Sequence, residues 1–249
     1  MNLILYYLFV YLIEAIILWL YCNRIFTSRK NTFLSLLITI GMFSLLIPVA
    51  ILTNAALNAF CSFIVYLCCI VLNYDSKPVW ALFHALALTI LMALSEGLIA
   101  AAIPDITIYA FRDGNIHSSA FTFVILSKSV YLCISQLVTR IFSKDTVNNA
   151  SIRKSTLMLY LIPVISSIIT VSLGYICLNG KLSGSDSVIV FICLVLLLSI
   201  NILTFYLQQD ISQKNVEYAR LQIELQKETD TEHYYNYVQE VNEKQHILI

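Results

Sequence analysis

Residues 187–249 read "SVIVFICLVLLLSINILTFYLQQDISQKNVEYARLQIELQKETDTEHYYNYVQEVNEKQHILI" and contain neither Gly nor Pro. The run up to Leu207 is almost wholly apolar, and everything after it is charged and polar. With no breaker at the change, the stretch predicts one uninterrupted helix, roughly 90 Å long at 1.5 Å per residue. The chain therefore divides into an apolar block, 1–207, and a charged helical tail, 208–249.

The composition agrees. Of 249 residues, 59% are hydrophobic and 12% charged, with a mean hydropathy of +0.81. A soluble domain carries about 25% charged residues, so the chain reads as an integral membrane protein. Net charge is zero, yet the tail alone holds eight of the fifteen acidic residues. A membrane-crossing helix needs about 20 mostly apolar residues. Seven stretches qualify: 3–22, 33–52, 55–73, 79–103, 119–142, 156–178 and 188–207. Only Thr53 and Asn54 separate the second from the third, so that pair reads as a tight hairpin or a re-entrant element. The expected fold is all-α: a polytopic bundle of about seven spans continuing into a long cytoplasmic coiled-coil helix.

Basic loops stay in the cytoplasm. Arg24, Arg29, Lys30, Lys77, Arg140, Lys144, Arg153 and Lys154 fall on one side of this plan, and Arg112 and Lys181 on the other. The expected arrangement is multi-pass in the cell membrane, amino terminus outside and tail in the cytoplasm. The run from Leu3 is too long for a signal-peptide core and lacks a basic lead, so it reads as the first span. The seven cysteines (Cys22, Cys61, Cys68, Cys69, Cys133, Cys177, Cys193) sit in apolar runs without metal-ligand spacing, and read as buried thiols.

Ionisable side chains within spans are costly and mark function or a structural pair. Glu14, His84, Glu96 and Lys128 are of this kind. Counting along the spans puts Glu96 and Lys128 at a similar depth, roughly 12–14 Å, with Glu14 slightly deeper. A Glu96–Lys128 or Glu14–Lys128 pair is therefore possible. It would either fix helix neighbours, floor an outward-facing ligand pocket, or relay protons or ions. His84 reads as packed or snorkelling. The loop 104–118, with Tyr109, Arg112 and Asp113, is the natural contact for an extracellular ligand, though an ordinary solvated loop reads the same way. No catalytic constellation appears, no metal site is expected, and nucleic acid is not an expected partner.

The tail carries a three-four stripe, Ile211, Lys214, Tyr218, Leu221 and Leu225, and a second one, Val238, Val241, Gln245 and Leu248, with a phase slip between them. Short seams of this kind suit a weak parallel dimer that can change register. The sequence of elements, ending in Tyr234, Tyr235, Val238, Asn242, Glu243 and the run His246–Ile249, resembles the lead-in to the phosphoacceptor helix of peptide-pheromone-sensing histidine kinases of Gram-positive bacteria. These are the accessory gene regulator sensor type, with a GHKL-type ATPase domain.

The resemblance covers the overall plan, and its specific part is about sixteen residues. It implies an extracellular peptide ligand and a response regulator reached through a kinase domain; the homodimer through the tail is read from the seams alone. The His-Asp pair is expected at or just after position 250. Within the 249 residues, His246 is followed by Ile247 where the family has an acidic residue. The ATP-binding boxes are absent, so ATP and Mg²⁺ belong only to the expected kinase domain and this chain itself needs no cofactor. Two other readings stand beside the receptor. One is a transporter using Glu14, Glu96 and Lys128 as its pathway. The other is a membrane peptidase using His84 with Cys68 or Cys69.

Overall fold

The structure, a computed structural model, describes residues 3–52, 55–104, 118–141, 161–179 and 184–247. These form α1 (Leu3–Ile25), α2 (Thr32–Ser44), α3 (Ile47–Ile51), α4 (Ala55–Asn73), α5 (Pro78–Ala102), α6 (Ser118–Ile141), α7 (Leu161–Asn179) and α8 (Gly184–Ile247). Among the described residues the fold is all-α apart from one small ribbon. Five of its segments are long and apolar enough to cross a membrane: α1, α2 with α3, α5, α6 and the leading part of α8. The described parts of α4 and α7 add shorter apolar runs, Leu57–Asn73 and Leu161–Thr170.

Two expectations change. The second apolar stretch is not one helix, because Pro48 follows it into the first turn of α3. A proline ring clashes with the carbonyl four residues back, here that of Ser44, and α2 ends on that residue. The loops after α1 and α4 are not loops alone. Thr27–Ser28 (β1) and Tyr74–Asp75 (β2) pair antiparallel, with Thr27 opposite Asp75 and Ser28 opposite Tyr74. Arg29 closes the ribbon on Asp75 at 3.1 Å.

Contacts fix the direction of each helix. Tyr6 meets Phe121 and Glu14 meets Lys128, so α1 and α6 run the same way. Ser187 meets Ala101 and Phe205 meets Phe83, so α8 runs against α5. The bundle thus has a near end, where α1 begins, and a far end, where α1 stops and the bare part of α8 departs. At the far end a polar clamp ties α1, α2 and α4. Asn73 Nδ2 donates to Thr39 Oγ1 at 3.3 Å, Tyr74 Oη to Asn23 Oδ1 at 3.1 Å, and Ser35 Oγ to Tyr74 Oη at 3.3 Å.

α5 is the central post, packed by α4, α6, α7 and α8, with buried residues along its length from Trp80 to Ala101. Its alanines and Gly97 let neighbouring helices approach closely, as small residues do where the surroundings are lipid rather than water. A Cβ at Gly97 would lie 3.3 Å from Leu194 Cδ1, the tip of a flexible side chain on α8. Gly97→Ala is therefore expected to stay within about 0.5 kcal/mol of the wild type, the helix-propensity gain offsetting a small shift of Leu194. Gly97→Leu, which drives a whole side chain into that contact, is expected to cost about 1–3 kcal/mol. Thermal unfolding of the two purified variants in detergent checks the difference.

Of the cysteines, Cys22 and Cys69 are buried as expected for packing thiols. Cys133 is exposed, because it faces away from the bundle on α6. An outward face of a membrane-type helix is as apolar as an inward one, so its apolar neighbours carried no signal of burial.

Candidate functional site

Three elements bring one charge each to a single point. Lys128 Nζ of α6 lies 2.5 Å from Glu14 Oε1 of α1 and 2.5 Å from Glu96 Oε1 of α5. Depth along the spans pairs Lys128 with one carboxylate or the other; the structure gives it both. Lys128 and Glu14 are sealed, with side chains 2% and 3% exposed, while Glu96 keeps 39% of its side chain open. Glu14 Oε2 is buried and has no hydrogen-bond partner among the described residues. The triad thus has a closed side, at Glu14, and an accessible member, Glu96.

Tyrosines surround it. Tyr6, Tyr11, Tyr66 and Tyr131 all lie within electrostatic reach of its charges. Toward the near end the rings continue as Tyr7, Phe9 and Phe121, with Tyr6 edge-on to Phe121 at 5.7 Å and Tyr7 stacked on Tyr11 at 6.4 Å. Tyr11 Oη donates to Asn58 Oδ1 at 2.8 Å, which ties α4 to the same wall. Between α1 and α6 a cleft of about 190 Å³ is lined by Ile13, Ile16, Leu20, Ile125, Leu132 and the stem of Lys128. The cleft shares Lys128 with the triad, and the carboxylates and the aromatic rings lie outside its lining.

His84 belongs to a different group. It is fully buried toward the far end, hydrogen-bonded through Nδ1 to Tyr21 Oη at 2.8 Å, and ringed by Phe26, Trp80 and Phe83. It is packed and does not snorkel. Phe205 of α8 closes this nest against Phe83, 5.6 Å away and edge-to-face.

A polar seam on α8 carries no mark in an apolar-run reading. Ser187 donates to Ala101 O at 2.8 Å, and Asn201 donates to Ser166 Oγ at 2.6 Å. Gln208 and Ser212 follow, both buried, with no side-chain partner among the described residues. Ser187, Leu194, Asn201 and Gln208 stand seven residues apart, and that spacing was the available signal: it places them on one stripe facing the bundle. Packing on α8 continues past Leu207, to Ser212 and Val216.

Beyond that the helix is bare. Glu217–Tyr237 are exposed on every face, including Tyr218 (63%), Leu221 (48%), Leu225 (62%) and Tyr234 (66%), and Val238 is half-buried. Asp210–Lys214 at 2.8 Å and Arg220–Glu224 at 3.3 Å stitch its surface. Tyr109, Arg112, Asp113 and Leu248 lie outside the described residues, and of Val241 only the helical backbone is described. No group of three or more His, Cys, Asp or Glu suited to a metal occurs among the described residues.

No family model, no curated protein and no solved structure matches this chain.

Proposed function

We propose that the chain is the sensor part of a membrane receptor, a peptide-responsive histidine kinase of the pheromone-sensing type, that passes its signal along α8. The observation that carries this reading is α8 itself: one 64-residue helix, packed in the bundle to Val216 and bare from Glu217 to Tyr237. Seven crossings, with the near end outside, put Arg24, Arg29, Lys30, Lys77 and Arg140 on the cytoplasmic side together with the rod. The ligand enters from the near end and meets the aromatic wall above Glu96. Two copies join through the rod, at Tyr218, Leu221 and Leu225 first.

Signalling needs only a two-state element that the ligand biases, and a differential affinity of a few kcal/mol is enough. The α8 seam suits that role. Gln208 and Ser212 are buried without side-chain partners among the described residues, and each such group costs about 1–3 kcal/mol. A small slide or rotation of α8 that reaches a partner or water recovers that cost, which leaves two packings close in free energy. ATP, Mg²⁺ and a response regulator enter through the kinase domain that this reading expects.

Single cysteines on the rod, in a background without native cysteines, test the reading in isolated membranes. Tyr218→Cys, Leu221→Cys and Leu225→Cys are expected to cross-link between copies at least fivefold faster than Ile223→Cys and Lys227→Cys. Equal rates at all five positions would mean random collision and sink the dimeric rod. A second reading, transport, is favoured by the buried triad alone, since ionisable groups at that depth also build ion pathways. Proteoliposomes that accumulate a cation or amine along a gradient would establish it.

A further inference from the structure

We infer that the Glu14–Lys128–Glu96 triad takes one further monovalent cationic group, a small ammonium such as a ligand's primary amine or a bare alkali cation, held between Glu96 and Glu14. The inference deepens the receptor reading, and rests on it for the identity of the site, by giving the charge its ligand presents. One ammonium stands between two carboxylates, so the site carries one uncompensated negative charge when all three are ionised. In a low-dielectric interior such a charge costs several kcal/mol unless it is paired. Three observations say where the partner goes.

Glu14 Oε2 is buried and unpartnered, one carboxylate width from the oxygen bonded to Lys128. Glu96 is the one open member of the three, so arrival is from its side. Tyr6 and Tyr11 lie within electrostatic reach of the same charges, and aromatic rings are groups that a cation can meet favourably. An anionic group fits none of this. It would approach two carboxylates, and the single ammonium is already fully engaged by both. The apolar cleft between α1 and α6 is lined by the same lysine but by neither carboxylate, so it does not choose between a ligand's amine and an alkali cation.

The test is thermal unfolding of the purified chain in detergent at fixed pH and ionic strength, with methylammonium chloride, sodium chloride or N-methylglucamine chloride as the salt. The bulky N-methylglucamine cannot enter and sets the baseline. Methylammonium at ten times its dissociation constant is expected to raise the midpoint by about 3–6 °C. Sodium doing the same, with no further gain from methylammonium, assigns the site to an alkali cation.

Glu96→Gln and Glu14→Gln each leave one carboxylate for one ammonium. Both are expected to fold, to unfold no earlier than wild type in N-methylglucamine, and to lose the cation effect. Three results overturn the inference: equal midpoints in all three salts, a cation effect that both variants retain, or a midpoint that follows pH while ignoring the cation. The last would mean that a proton held on one carboxyl supplies the missing charge. Cross-linking along α8 needs no cation, so a failed rod and a failed cation site give separable results.

Discussion

Lys128→Met is expected to lower the unfolding midpoint by about 10 °C or more, the largest effect of any single substitution in the bundle. The methionine fills much of the lysine's volume and keeps an apolar stem, so packing against Ile125 and Leu132 is nearly conserved. What is lost is the only cation between two carboxylates. Removing one partner of a buried ion pair costs about 3–5 kcal/mol, because the other charge stays behind unpaired. Here two are left, 3% and 39% exposed, and they repel each other.

The remedy depends on which carboxylate is worse placed. Adding Glu14→Gln to Lys128→Met removes the sealed charge and is expected to recover at least half of the loss. Adding Glu96→Gln removes a charge that its opening already solvates, and is expected to recover less. Thermal unfolding of the two double variants beside the single one gives both coupling energies. Equal recovery by the two would mean that Glu96 is as buried as Glu14, and that the triad has no accessible side.

Much of this architecture was legible from simple counting. An apolar run of about 20 residues announces a membrane-type helix wherever it lies, and the absence of Gly and Pro after Ser187 announced α8 as a single rod. Depth along a helix is also countable, which is why Lys128 could be matched with Glu14 and Glu96. Direction around the helix is a different matter. In a soluble bundle the buried side is the apolar one. Here Leu196 and Ile168 face outward at 57% and 62% exposure while Leu194 and Leu88 are buried, and nothing in their chemistry separates them.

The nest around His84 was lost for that reason: Tyr21, Phe83 and Phe205 come from three helices whose facing sides carried no sequence signal. Polar residues give the facing side away, since they turn from lipid toward partners. The seven-residue steps from Ser187 to Asn201 to Gln208 did encode it. The two-residue ribbon, Thr27–Ser28 with Tyr74–Asp75, is too short for any alternation to show. The loop holding Tyr109, Arg112 and Asp113 lies outside the described residues, so the structure places none of the three.

Phe205→Ala is the second large effect, and its size follows from where the residue lies. Phe205 is wholly buried where α8 leaves the bundle, edge-on to Phe83 in the nest around His84. In water-soluble cores Phe→Ala costs about 3–5 kcal/mol, a sum of lost transfer energy and a cavity. Lipid is as apolar as the core, so the transfer part shrinks and lost packing dominates. The expected cost is therefore about 2–3 kcal/mol. Leu203→Ala, two positions back and 57% exposed on the outward face, is expected to stay within about 0.5 kcal/mol.

On the receptor reading proposed above, the contrast would also separate anchoring from signalling. Phe205 is the last aromatic ring of α8 with a described partner in the bundle; after it come the buried Gln208, Gln209 and Ser212 and the half-buried Val216. Without the ring, the end of the packed segment is free to slide. In the Phe205→Ala background the cross-linking maximum along Tyr218, Leu221 and Leu225 is therefore expected to broaden or shift by a residue or more, and in the Leu203→Ala background to stay in place. A pattern unmoved by Phe205→Ala, in protein that has lost stability as expected, would mean that the rod's register is set by the rod alone. The bundle would then have no grip on the signal through the far end of α8, and coupling would have to run through Asn201 and Ser166 instead.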